Sequence, residues 1–300
     1  GYIYYPFKQF CNYKVENFDT KIGIKHPADK AYVIDDEHLT YLSQEPLARK
    51  IEAFIIQGYD DEPRISSQSV FKSLKAIYFG LYDVDYHISW TSVTNISLIL
   101  KAYPELEFLQ VRGGDGYYIA KARGDSYYRA NRYWDGFISL RHDSLKVLII
   151  ETGGLRREKI NQILSLKLPA LEHLELWLGC DEYGGDSSID DLMPILSGEL
   201  FPKLKYLGLR NSEYSDDIAN TIVNSPIINQ LQVLDLSMGT LGDEGAEALL
   251  NCPAVDKLTF LNLSNSCLTE EMVERLKQLN VEVIAETQKH SEERYCAVAE

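Results

Sequence analysis

One short pattern constrains this chain more than any other feature. In the stretch from Leu171 to Leu178, read as L-x-x-L-x-L, Leu171, Leu174 and Leu176 fall on one side of a short strand. His173, Glu175 and Trp177 fall on the other, because successive strand side chains point to opposite faces. The register returns at Leu204/Leu207/Leu209, Leu231/Leu234/Leu236 and Leu258/Leu261/Leu263. Upstream it recurs at Leu145/Leu148/Ile150, Leu106/Leu109/Val111, Leu74/Ile77/Phe79 and Ile51/Phe54/Ile56. A unit this short buries its apolar face only by stacking on copies of itself, so the pattern predicts a solenoid. The expected class is α/β, a horseshoe arc with about eight parallel strands on its concave face.

From residue 145 the repeat starts lie 26, 33, 27 and 27 residues apart, which leaves room for a helix in each. Amphipathic segments are expected at 156–166, 189–196, 216–223, 243–250 and 270–279, on the convex side. Ser188, Ser215, Gly242 and Thr269 stand at N-cap positions, and Pro169, Pro202, Pro226 and Pro253 follow the ends of the first four. An earlier helix is expected at 95–103, before Pro104. The longer 33-residue spacing accommodates an extra loop at 179–188.

Residues 1–50 carry no clear copy and read as an N-terminal cap, with strands at 2–10 and 31–34 and a helix entered at Asp35 or Asp36. The solenoid spans 51–284, its last strand at 281–284, and 285–300 reads as a polar tail. Between the repeats starting at 106 and 145 lies an insertion, 113–143, dense in tyrosine and arginine and ending in Trp134 and Asp143. Its aromatic content argues for an ordered flap. The expected seat is the concave face beside Arg112 and Glu151, against Tyr78, Tyr82 and Phe108.

The formal charge of −15 argues against phosphate-backbone binding, so no nucleic-acid partner is expected. Five cysteines without a C-x-x-C pair argue against a disulfide framework or zinc site and for a reducing, cytoplasmic setting. No run of eighteen apolar residues and no signal-peptide layout is present, so no membrane partner is expected either. Gly1 in place of a starting Met points to a trimmed or partial chain. A monomer is expected.

The stretch from Leu234 to Leu250 resembles the ribonuclease-inhibitor class of leucine-rich repeat, with its Leu-x-Leu strand, a following leucine and a helix entered at Gly245 and Ala246. The segments 151–155, 173–179, 181–186 and 207–213 resemble a bacterial leucine-rich-repeat family with no assigned activity. The close likeness covers about 104–270. What it implies is a fold and no particular activity. One departure is that the ninth repeat position, usually Asn or Cys in the superfamily, is Gly153, Ser212, Gly239 or Ser266 here. A continuous asparagine ladder is therefore absent, and small residues must permit tight backbone packing.

Repeat by repeat, the concave face reads Phe108/Gln110/Arg112, Val147/Ile149/Glu151, His173/Glu175/Trp177, Tyr206/Gly208/Arg210, Val233/Asp235/Ser237 and Phe260/Asn262/Ser264. With strands about 4.8 Å apart, Arg112 is expected to meet Glu151, and Trp177 to lie beside Arg210. Aromatic anchors among paired charges make up a protein-binding surface, although any water-facing strand would carry polar residues. The candidate partner-binding set is Phe108, Arg112, Glu151, His173, Glu175, Trp177, Tyr206, Arg210 and Asp235, with Tyr128 and Trp134 from the insertion. The alternative is an enzyme or small-ligand binder using a cleft between the insertion and Glu151, His173, Glu175 and Arg210. His173 and Glu175 lack a nucleophile, so no catalytic residue is assigned. The acidic group Asp181, Glu182, Asp186, Asp190 and Asp191 lacks calcium-loop spacing and reads as a glycine turn with helix-favouring acids. No metal or cofactor is expected.

Overall fold

The computed structural model describes residues 8–58, 63–81, 88–114, 134–290 and 292–299. They fall into two compact units, one of residues 1–151 with 166–170, the other of residues 152–165 with 171–300.

In the first unit, β1 (Gln9–Phe10) and β2 (Tyr13–Asn17) form an antiparallel hairpin. From β2 onward the order is parallel: β3 (Lys30–Asp35), β4 (Ala53–Gln57), β5 (Ala76–Phe79), β6 (Phe108–Arg112) and β7 (Val147–Glu151). The motif positions align across them, Phe54 with Ile77, Leu109 and Leu148, and Ile56 with Phe79, Val111 and Ile150. All are buried. Tyr32 and Ile34 of β3 pair with Phe54 and Ile56, so the repeat register begins inside the segment read as a cap. Among the described residues this unit holds the α-helices α1 (His38–Leu42) and α2 (Ile96–Ala102), the latter capped by Asn95, whose side chain accepts from Ser97 N.

The other face of these strands is buried as well. Ala31, Ala53 and Ala76 stand side by side, with Val33, Ile55 and Tyr78 in the next row, and all six are buried. Phe10 joins this cluster and meets Phe108 edge-on at 5.2 Å between ring centres. Here the face on which the insertion was expected to seat, against Tyr78 and Phe108, carries a second core. Strands covered on both faces read as continuous apolar runs, and 31–34, 53–56 and 76–79 are such runs.

The second unit holds β8 (His173–Gly179), β9 (Tyr206–Ser212), β10 (Val233–Asp235), β11 (Phe260–Asn262) and β12 (Glu282–Ile284), all parallel. Leu174, Leu207, Leu234 and Leu261 form one ladder at zero exposure. Helices α3 (Arg157–Leu164), α4 (Ile189–Leu196), α5 (Ser215–Ile222), α6 (Asp243–Leu250) and α7 (Glu270–Leu276) pack in consecutive pairs. Thr269 caps α7 by accepting from Met272 N. Ser215 is no cap: it is the first residue of α5, and its hydroxyl donates to Ser212 O at 2.9 Å.

Strand exits turn through left-handed residues at one repeat position, Asn211 (φ 54°), Met238 (φ 71°) and Asn265 (φ 51°). The next residue is the small one noted in the sequence. Ser212 and Ser266 are fully buried, and a Cβ on Gly239 would lie 2.6 Å from Ser212 O. Among the described residues, no helix is long and apolar enough to cross a membrane.

Candidate functional site

The second unit presents a polar sheet face built from alternate residues of β8 to β12. Strand register sets its rows. His173, Tyr206, Val233, Phe260 and Glu282 form the first, and Glu175, Gly208, Asp235, Asn262 and Ile284 the second. In the third row Trp177 stands beside Arg210.

Gly208 is the keystone of the second row. A Cβ there would lie 2.7 Å from Glu175 Cγ. Its bareness leaves a gap over which Tyr206 and Arg210, two residues either way on β9, lean towards both carboxylates. The Tyr206 hydroxyl is 3.1 Å from Glu175 Oε1 and 3.0 Å from Asp235 Oδ2. Having one proton, it donates to one of them at a time. Arg210 Nη1 lies 3.5 Å from Glu175 Oε2, and Nε lies 3.4 Å from Asp235 Oδ2 and donates to Ser237 Oγ at 2.9 Å. Asn262 Nδ2 and Ser237 N also donate to Asp235.

Charge and burial oppose each other here. Glu175 and Asp235 are buried. Desolvation pushes the Glu175 carboxyl up, but His173 at 3.6 Å, the Arg210 charge and the Tyr206 hydroxyl prevail and hold it below the usual carboxylate range. The Tyr206 phenol is raised, first by burial and then by the Asp235 and Glu175 carboxylates. His173 stacks on Tyr206 at 3.7 Å between ring centres and 6° between planes. The outcome is a half-exposed row of His173, Tyr206, Val233 and Phe260, in which Tyr206 is held by a buried ionic base and carries His173 stacked on it.

The other sequence candidates separate. Trp177 was expected to be an open aromatic; it is 9% exposed, with the Arg210 guanidinium 5.1 Å from its ring centre. Arg112 Nη1 donates to Glu151 Oε2 at 2.8 Å, Gln110 donates to the other oxygen, and Glu151 is buried, so these groups satisfy one another within the first unit. Phe108 packs on Phe10. Trp134 is 2% exposed, donates from Nε1 to Val93 O and stacks on Phe137, so it is an internal anchor beside α2 and no contact surface. Tyr128, Tyr82 and most of the expected flap lie outside the described residues. The described end of the insertion bonds towards α2 and its cap, through Ile138 N to Ser97 Oγ and Asn95 Nδ2 to Asp135 O.

Gly208 and Asn262 were placed on this face by the sequence but left out of the candidate set, and Ile284, exposed on it, was read only as part of a terminal strand. In the acidic group, Asp186 accepts from Arg157 N and Asp191 pairs with Arg157 at 3.1 Å. Among the described residues, no group of His, Cys, Asp and Glu is arranged to hold a metal ion.

No protein-family model and no curated protein matches the chain. Among solved structures, a structural-genomics protein from Bacteroides fragilis shares 24% identity and a TM-score of 0.70, over 91% of this chain and 78% of its own. An internalin from Listeria monocytogenes shares 17% identity at a TM-score of 0.39, over 83% of this chain and 57% of its own, a likeness too slight to carry an argument. The likeness to the Bacteroides fragilis protein is one of fold, and the buried, in-register leucine motifs give the chain its leucine-rich-repeat-like strands.

Proposed function

We propose that the chain is a non-catalytic interaction module that binds a protein partner through the sheet face of its second unit. The ribonuclease-inhibitor type of repeat fits the helix carried by each of its repeats. The observation that carries the reading is the half-exposed row of His173, Tyr206, Val233 and Phe260, extended by exposed Ile284. Aromatic rings already locked in place lose little entropy on binding, and central aromatic anchors dominate interface energies. The ionic base serves the row by fixing Tyr206. Arg210, 19% exposed, supplies a cation at the edge of the patch.

The partner is to be identified by affinity capture and its affinity then measured by calorimetry. Phe260→Ala with Ile284→Ala is expected to weaken binding by ~2 kcal/mol, roughly thirtyfold, with thermal stability lowered only slightly. Unchanged affinity in a folded variant rejects this face.

A further inference from the structure

Beyond the sheet face, the residues following β12 pack on a second surface of the same unit. The segment expected to be a polar tail runs back across the strand exits of the second unit, and the left-handed residues of successive repeats hold it. Asn265 N donates to Glu286 O at 2.9 Å, and Lys289 N donates to Ser266 O at 2.7 Å. The Lys289 ammonium then sits on the carbonyls of Gly239 and Tyr295, at 2.9 and 2.6 Å. Arg294 Nη1 donates to Asp216 Oδ2 at 2.6 Å. Ala297 N donates to Met238 O at 2.8 Å.

Asn211 completes the series. Fully buried, it accepts from Val298 N at 2.9 Å through Oδ1 and donates to Val298 O through Nδ2. One side-chain amide thus reads both main-chain polar groups of one residue as a neighbouring strand would, whatever the side chain there. Beside it Gly153 is bare, and a Cβ would collide with Ala299 O. A cavity of about 580 Å³ flanks the segment, lined among others by Cys180, Tyr183, Glu213 and Tyr214.

The segment itself buries little apolar surface. Of residues 292–299, only Cys296 is buried, and Glu292 to Tyr295 and Ala297 are exposed. Polar bonds to main chain with little apolar burial mark a region that opens locally. Asn211 and Met238 of the receiving surface are buried, whereas most of the occupant is exposed. We propose that this edge is a peptide-recognition groove closed in cis by the chain's own tail. A partner's extended segment replaces the tail when it carries an arginine three residues before a small residue, as Arg294 precedes Ala297. The arginine pairs with Asp216, the small residue lies against Met238, and Asn211 clamps the N–H and C=O of the residue after it.

The tethered tail competes at an effective concentration on the order of millimolar, so an added peptide binds the intact chain weakly. The test uses a fluorescein-labelled synthetic copy of residues 292–299 and the full chain. With Lys289→Ala and Arg294→Ala loosening the tail, peptide binding should tighten at least tenfold over the intact chain, and adding Asn211→Ala should remove that gain. Equal binding to the intact and loosened chains overturns the proposal, as does dimerisation of the loosened chain without peptide capture, which means tails exchange between copies. Hydrogen exchange on the intact chain gives an independent check. The amides of Ala297 and Val298 should exchange at least a hundredfold faster than that of Leu207. If they exchange only with the core, the tail is integral structure and no groove is available. Neither measurement involves Phe260 or Ile284, so failure here and failure of the sheet-face reading are distinguishable.

Discussion

Glu175 is a buried carboxylate held in its charged form by His173, Arg210 and Tyr206. Because its folded pKa lies below the ordinary value of 4.5, its contribution to stability is present above about pH 4.5 and is lost as pH falls through the lower folded value. Denaturant titrations of Glu175→Gln should therefore show a shallower loss of stability than wild type as pH falls below about 4.5. Leu207, at zero exposure between Leu174 and Leu234, tests the ladder itself. Leu207→Ala should cost ~2–5 kcal/mol by leaving a cavity, and a loss under about half a kilocalorie would contradict this packing. Trp177 was legible as a face residue but its burial was not, because Arg210 leans over its ring from the neighbouring strand. Trp177→Ala is accordingly expected to cost ~3–5 kcal/mol of stability, read by chemical denaturation, whether or not a partner is present.

At the scale of elements, most strands and helices of the second unit were readable because each combines a two-residue apolar alternation with a helix bounded by cap and proline. α4 and α6 lie where the pattern places them. β2 escaped because its polar residues, Lys14 and Glu16, interrupt any apolar run, and its place is set by pairing with β3. The start of α5 moved because the Ser215 hydroxyl bonds back to the Ser212 carbonyl. Gly208 shows how a strand residue without a side chain organises its neighbours. In Gly208→Val, the added atoms press on Glu175 and separate it from Tyr206 and Arg210. The expected cost is ~1–3 kcal/mol by denaturant titration, and the Glu175→Gln change should then lose much of its pH signature.

For the whole molecule, the charge of −15 sets a repulsion that no single pair removes. Raising sodium chloride from low to about physiological ionic strength shortens the Debye length to roughly 8 Å, and the melting temperature should rise by a few degrees. A fall would mean that attractive pairs such as Arg210 with Glu175 and Asp235 outweigh the repulsion. The sequence alone placed the repeated leucines in the core, because a two-residue alternation renewed every repeat leaves one way to bury them. It also placed Arg112 against Glu151 and Trp177 against Arg210, since register follows from the motif. Tertiary structure decided what covers each face. Phe10 closes over Ala31, Ala53 and Ala76 from a hairpin before the first repeat, and the tail returns to Asn211 and Gly153 from beyond the last strand. Neither segment carries the repeat, so no period points to its seat. Those contacts join residues far apart in the chain, and only the folded backbone brings their donors and acceptors together.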